Sequence, residues 1–233
     1  MSDTSAQAFS PYDDTELINK HVAGGNHRDV IGGLWDELGA LQADFLKANG
    51  LRPQHTLIDI GAGSLRAGVK LVPYLDSGNY YAIDLQAALL EAGYVREIEP
   101  AGLAGRFPRG NFAANAVFDV SGFRCMFDFG IAQSVFTHMP IARLGACLSS
   151  VAPHFRPGGQ LFVTVFLAPP GVADKAFTQW PGGVATSPDR DPFHTTLHDL
   201  QGIASQASGW QMSVIGNWAH PRNQQMVRFT RQG

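Results

Sequence analysis

The chain has 233 residues, 45% hydrophobic and 16% charged, enough for one sizeable core. A net charge of -3 with scattered lysines and arginines excludes the basic stripe of a nucleic-acid binder, and no apolar run is long enough to span a bilayer. The polar start MSDTSAQAFSPYDDTEL is unlike a signal peptide, and Cys125 and Cys147 have neither disulfide-framework nor metal spacing; a cytoplasmic chain with no membrane partner and no metal is expected.

Residues 1–14 read as an arm. The segment 28–50 then places Ile31, Leu34, Trp35, Leu38, Leu41, Phe45 and Leu46 on one helical stripe, with Gly50 as its stop. HTLIDI (55–60) is a short buried strand, 65–74 a helix, NYYAIDL (79–85) a second strand and AALLEAGYVRE a second helix. A third strand lies within GNFAANAVFDVSGF. MFDFGIAQS (126–134), almost continuously apolar, reads as a fourth, buried on both faces. A helix over 139–155 is expected to stop at Arg156-Pro157-Gly158-Gly159, ahead of a fifth strand at 160–167. Residues 168–193 form a long Pro- and Gly-rich insertion, followed by a helix at about 195–207. Strands at 210–218 and 224–231 are separated only by AHPRN, too short for a crossover, so they pair as an antiparallel hairpin.

This alternation predicts an α/β fold: a doubly wound, Rossmann-like, mostly parallel seven-stranded sheet with a C-terminal antiparallel hairpin. It divides the chain into an N-terminal arm and capping helix (1–50) and one domain (51–233) carrying the 168–193 insertion. Ligands on such sheets bind at the carboxyl ends of the strands, near the switch in strand order.

The loop in LIDIGAGSLRAG (57–68) follows the first strand. A dinucleotide fingerprint needs a third small residue where Arg66 stands. Asp59, two residues before Gly61, would repel a pyrophosphate and attract an ammonium group. Asp84, 25 residues after Asp59, ends the second strand where an acid can accept ribose hydroxyls. The implied ligand is a nucleoside with a cationic amino-acid tail.

LIDIGAGSLRAG, YYAIDL, FDFGIAQSVFTHMP and RPGGQLFVTVF together resemble a class I S-adenosylmethionine-dependent methyltransferase over most of the chain. Leu65 departs from that pattern, standing where many members have a third glycine. The resemblance implies S-adenosylmethionine as cofactor. Gly61, Ala62 and Gly63 would line its methionine portion, with Asp59 near the amino group and Asp84 on the ribose. Leu85, Phe118 and Asp119 would lie around the adenine, Gln133 and Ser134 at the methionine end, and Trp35 across the cofactor.

His138, after the fourth strand, and His194, at the end of the insertion, are the candidate bases; His220 could act in the same way. The His194–His198 pair lacks the glutamate of a zinc motif, position 195 being Thr. Gly32 and Gly33 interrupt the first helical stripe and point to something passing close by. HPRNQ (220–224) reads as a turn stiffened by Pro221, with Arg222 as a possible anion binder. No Asn-Pro-Pro-Tyr or Asp-Pro-Pro-Tyr follows the fourth strand, which disfavours methylation of nucleic-acid amines. The expected function is direct methyl transfer to a small molecule. Two alternatives stay open: a lyase or cyclase acting on the cofactor, its sulfonium held by a cage from Trp35, Phe118, Phe136, Phe166 and Trp180, and a non-catalytic cofactor-binding protein.

Overall fold

Strand β1 (Leu57–Ile60) is buried at every position, Asp59 included, and it lies at the centre of the sheet, where a strand is covered on both faces. In the computed structural model, which describes residues 10–233, β1 pairs in parallel with β2 (Tyr80–Asp84) on one side and β4 (Phe127–Ala132) on the other. The sheet order is β3-β2-β1-β4-β5-β10-β9, with β3 at Phe112–Ala114 and β5 at Phe155–Leu167. Strands β9 (Trp210–Asn217) and β10 (Gln225–Arg231) form the antiparallel hairpin, and β10 is also antiparallel to β5. Chain order reverses between β1 and β4, so the loops after these strands open a crevice at their carboxyl ends.

Helices cover both faces. Ala43 and Leu46 of α2 (Trp35–Ala48), Leu71 of α3 (Gly68–Leu71) and Leu90 of α4 (Ala87–Gly93) pack on one. Leu144, Cys147 and Leu148 of α5 (Ala142–Val151) and Leu200 of α6 (Leu197–Gln206) pack on the other. Cys147 is fully buried, and burial pushes its thiol well up. Truncating a fully buried leucine such as Leu46 to alanine costs about 3 kcal/mol.

Several boundaries differ from expectation. Of the expected arm, residues 1–9 lie outside the described residues. Pro11–Asp13 is a capped 3-10 turn, and Asp14 caps an unforeseen helix, α1 (Thr15–Ala23), by accepting from Leu17 N at 2.9 Å. The stripe begins at Trp35: Gly32 (φ 91°), Gly33 (φ 61°) and Leu34 (φ 49°) take left-handed conformations that no helix continues through, leaving Ile31 and Leu34 outside α2. Residues 156–159 fall within β5, whose pairing with β4 shifts register between Phe127 and Phe129. The insertion contains a hairpin, β6 (Phe177–Gln179) with β7 (Val184–Thr186). Just after it, the two-residue β8 (His194–Thr195) joins β5 in parallel as an eighth strand of the main sheet. Leu65, the departure in the glycine loop, takes φ 65°, the conformation a glycine would adopt freely, while its side chain is fully buried.

Candidate functional site

A cavity of roughly 720 Å³ opens over the carboxyl ends of β1, β2 and β4, within the range of small-molecule sites. One end is built from the first βαβ unit. Gly61 takes φ 69°, and a Cβ there would overlap Val135; Gly63 takes φ 54°, and a Cβ there would sit 2.9 Å from Ile31. Only glycine lets the loop turn this tightly beneath its neighbours.

Asp59 lies at the base of this end, accepting from the Tyr80 hydroxyl at 2.5 Å. Burial pushes its carboxyl up to about 6, although the Tyr80 bond and nearby Arg66 pull it down. Asp84 accepts from Gly63 N and Gln86 N, both at 2.8 Å; burial raises its pKa against those bonds. Each carboxylate oxygen keeps a further lone pair for a ligand. Ala62, Leu85, Asn115, Ala116 and Phe118 complete this end.

Arg66, at the position that rules out a dinucleotide fingerprint, is buried beside Asp59. It donates to Gln133 Oε1 at 2.6 Å and Gly33 O at 2.9 Å, and burial lowers its pKa to about 10. Gln42, a buried polar residue on α2, donates to the same Gln133 oxygen at 3.3 Å. Its own Oε1, and Arg66 Nε, are buried without a partner among the described residues. Both residues belong to the cavity lining, which places an unmet donor and an unmet acceptor in its wall.

The other end is assembled from distant segments. Gln133 and Ser134 follow β4, and Ser134 takes φ 61° while bonding Gln224 and Thr164. His138 Nδ1 lies 2.6 Å from Asp191 Oδ1. A carboxylate only accepts, so Nδ1 carries the proton and Nε2 is left as a basic lone pair. Asp191, in the insertion, also accepts from Ser10 Oγ at 3.1 Å. The Tyr12 ring meets the His138 ring edge-on at 4.6 Å, and Tyr12 O accepts from Gln86 Nε2 at 2.8 Å. The N-terminal turn is thereby tied to both ends of the cavity.

Of the residues expected to hold a cofactor, Asp59, Gly61, Ala62, Gly63, Asp84, Leu85, Phe118, Gln133 and Ser134 line this cavity together, as does His138. Three expected residues are placed elsewhere. Trp35 packs against Arg28 at 4.7 Å and His27 at 6.3 Å, and Ile31 takes its place on the cavity wall. Asp119 is exposed and accepts from Ser121 N at 2.9 Å, which lowers its pKa. His194 is buried within the folded insertion, Nδ1 2.8 Å from Thr186 Oγ1 and Nε2 3.2 Å from Ala173 O, so neither nitrogen reaches the cavity. His220 lies behind Gln133; burial, then repulsion from Arg222 and Arg66, lowers its pKa to about 4.

Sequence reasoning missed Tyr12, Gln42 and Asp191. Gln42 carried a signal, a polar residue one turn after Leu38 on an apolar stripe; Tyr12 and Asp191 carried none. Among the described residues no group of three or more His, Cys, Asp and Glu side chains could hold a metal, and no helix is long and apolar enough to cross a membrane.

No family model matches the chain. Among solved structures the fold is similar to magnesium protoporphyrin IX methyltransferase from Synechocystis PCC 6803 with bound S-adenosylmethionine: 15% identity, TM-score 0.61, covering 94% of this chain and 98% of that one. An O-methyltransferase family protein from Burkholderia thailandensis gives 15% identity and TM-score 0.64, over 94% of this chain and 63% of that one. The glycopeptide N-methyltransferase MtfA, complexed with S-adenosylhomocysteine, gives 15% and 0.60, over 83% and 90%. The chain therefore has the Rossmann-like fold that these methyltransferases share.

Proposed function

We propose that the protein is an S-adenosylmethionine-dependent methyltransferase acting on a small molecule. The observation that carries this reading is the pairing of Asp59 and Asp84, near the carboxyl ends of the adjacent strands β1 and β2 and both lining one cavity, with the glycine loop tied to Asp84 through Gly63 N. That arrangement suits a ligand with an ammonium group at one end and a vicinal diol nearby. The unmet Arg66 Nε–H and Gln42 Oε1 suit an amino-acid carboxylate and ammonium. Gly61, Ala62 and Gly63 would hold the tail, Asp84 the ribose hydroxyls, and Leu85 and Phe118 the base, while Gln133 and Ser134 would flank the methionine end.

The cofactor supplies an electrophilic methyl group on a sulfonium. The chain's own task is to position an acceptor, exclude water and take up a proton. His138 is suited to the last of these: its Nδ1–H is committed to Asp191, so its Nε2 can receive a proton from an acceptor hydroxyl or ammonium group. Residues 10–34, with α2, act as the cap over the 51–233 domain.

This geometry favours an acceptor over self-directed chemistry. Of the residues considered for a sulfonium cage, only Phe118 and Phe166 line the cavity; Trp180 is 72% exposed. The histidine–aspartate pair would have no use in a binding protein.

The test is incubation with S-adenosylmethionine alone and with a panel of small hydroxyl and amine compounds, followed by mass spectrometry. S-adenosylhomocysteine appearing only with an acceptor is the expected result. Methylthioadenosine without any acceptor would overturn the reading in favour of a lyase or cyclase, and binding with no turnover in favour of a sensor.

A further inference from the structure

The HPRNQ turn places a cation in the part of the cavity that the cofactor reading leaves for the acceptor. Arg222 lies between β9 and β10, on the side of β5 away from β2 and the Asp84 end. Its guanidinium makes one side-chain hydrogen bond among the described residues, from Nη2 to Gly32 O at 2.6 Å, and no carboxylate there pairs with it. Its four remaining guanidinium N–H donors, three on the two Nη nitrogens and one on Nε, have no acceptor among the described residues.

Three segments hold it there. Gly32 takes φ 91°, and a Cβ on it would sit 2.9 Å from Arg222 Nη1; the guanidinium is what passes close to the Gly32–Gly33 break. Gly182, in the β6–β7 turn, abuts the backbone: a Cβ there would lie 2.6 Å from Arg222 Cα. Asn223 Nδ2 donates to Gln179 Oε1 of β6 at 3.0 Å, fastening the turn to the insertion. The backbone N–H of Arg222 donates to His220 Nδ1 at 3.2 Å.

The acids that line the cavity are engaged with other groups: Asp59 with Tyr80, Asp84 with backbone N–H groups and Asp13 with Ser10 N, and Asp191, beside the cavity, is bonded to His138 and Ser10. Arg66 stands near enough to Arg222 for each to repel charge at the other, and Tyr12 responds to both. Of the three arginines in the lining, Arg66 would be taken by the amino-acid tail and Arg143 lies over the Phe118 ring and donates to Ala116 O at 2.7 Å, which leaves Arg222 for an anion of the acceptor. The same cavity lining supplies apolar surface from Phe166, Met139, Val184 and Pro192, with the Tyr12 ring.

We infer that the acceptor is a small amphipathic carboxylate, whose anionic group is received by the planar fork of Arg222 while its apolar body lies against Phe166 and Pro192. This deepens the methyltransferase reading and rests on it.

The experiment is calorimetry on protein saturated with S-adenosylhomocysteine, titrated with benzoate, salicylate and octanoate and with the matching neutral amides. At least one acid is expected to bind about tenfold more tightly than its amide, as a charge-assisted bond would require. In Arg222→Gln that preference should fall to within about twofold, and Arg222→Lys, which keeps the charge but loses the fork, should retain part of it. S-adenosylhomocysteine affinity and the melting temperature, measured on each variant, should stay near wild type. Equal binding of acids and amides, no binding of any acid, or a loss of S-adenosylhomocysteine affinity in Arg222→Gln would overturn the inference, the last by assigning Arg222 to the cofactor. Failure of the wild-type protein to bind S-adenosylhomocysteine would instead sink the methyltransferase reading itself.

Discussion

The two ends of the cavity are built by different rules. The glycine-loop end comes from one βαβ unit: Asp59, Gly61, Gly63 and Asp84 span 26 residues, and Gly63 N donates directly to Asp84. The His138 end draws on residues 10–13, 133–138, the 168–193 insertion and the 220–224 turn, joined by side-chain bonds between segments up to 190 residues apart. A site whose parts lie on consecutive strand ends needs only the sheet to form. A site gathered from loops needs each loop to be held by the others, and its geometry can change whenever one of them is altered.

That contrast can be broken first at His138. In His138→Ala, turnover of an identified acceptor should fall about 10²- to 10⁴-fold with S-adenosylhomocysteine affinity unchanged, measured by initial rates and calorimetry. An equal loss of cofactor affinity would show that the two ends are not separable. Asp84→Ala should do the reverse. Losing a charged acceptor should weaken cofactor binding about 100-fold by calorimetry, and unchanged affinity in a folded variant would remove the ribose assignment.

A third test concerns how the N-terminal segment is anchored. Glu97 accepts from Arg28 at 2.7 and 2.6 Å and lies 2.6 Å from His27 Nε2. Burial pushes the Glu97 carboxyl up, but the bonds from Arg28 and His27 outweigh it and leave the pKa depressed. A depressed carboxylate contributes stability that is present above its unfolded value of 4.5 and lost as pH falls through the lower folded value. Glu97→Gln should cost about 2 kcal/mol near neutral pH, a drop of roughly 6 °C in thermal melting, with the difference from wild type vanishing in acid.

The smallest effect expected is the titration of Asp59. Its folded pKa of about 6 lies above the unfolded 3.8, so the folded state binds the proton more tightly and stability falls as pH rises from 3.8 to 6. Ligand binding has the opposite sign, because an ammonium group needs the ionised carboxylate. Cofactor affinity should therefore decline by about tenfold per pH unit below 6, down to the affinity of the protonated form. Asp59→Asn should melt higher than wild type at pH 8 while binding the cofactor more weakly. A variant that loses both would mean that the Tyr80 bond, rather than the charge, is what the site depends on.

The legibility of the two ends follows the same division. Asp59 and Asp84 could be read because short apolar strands place them near consecutive strand ends and glycines mark the turn that follows the first. Trp35 was expected across the cofactor from the family resemblance, and the stripe could not say which way it faces; with the left-handed break at 32–34, Trp35 packs on Arg28 and His27 and Ile31 stands on the wall. Of the two histidines chosen as bases, His138 sits on a strand-end loop and lines the cavity. His194 ends an insertion whose sequence gives no sign of how it folds; a hairpin and a Thr186 bond bury it.

What the sequence determined by itself was the sheet, its buried strands, the terminal hairpin and the glycine-loop end, because these depend on short apolar runs, the turn residues between them and neighbours close along the chain. The tertiary structure alone decided that Asp191 holds His138, that Tyr12 lies between the two ends, and that Gly32 makes room for Arg222. Those contacts join loops with no periodicity, and their partners are set by how the N-terminal turn, the insertion and the last hairpin pack over one crevice.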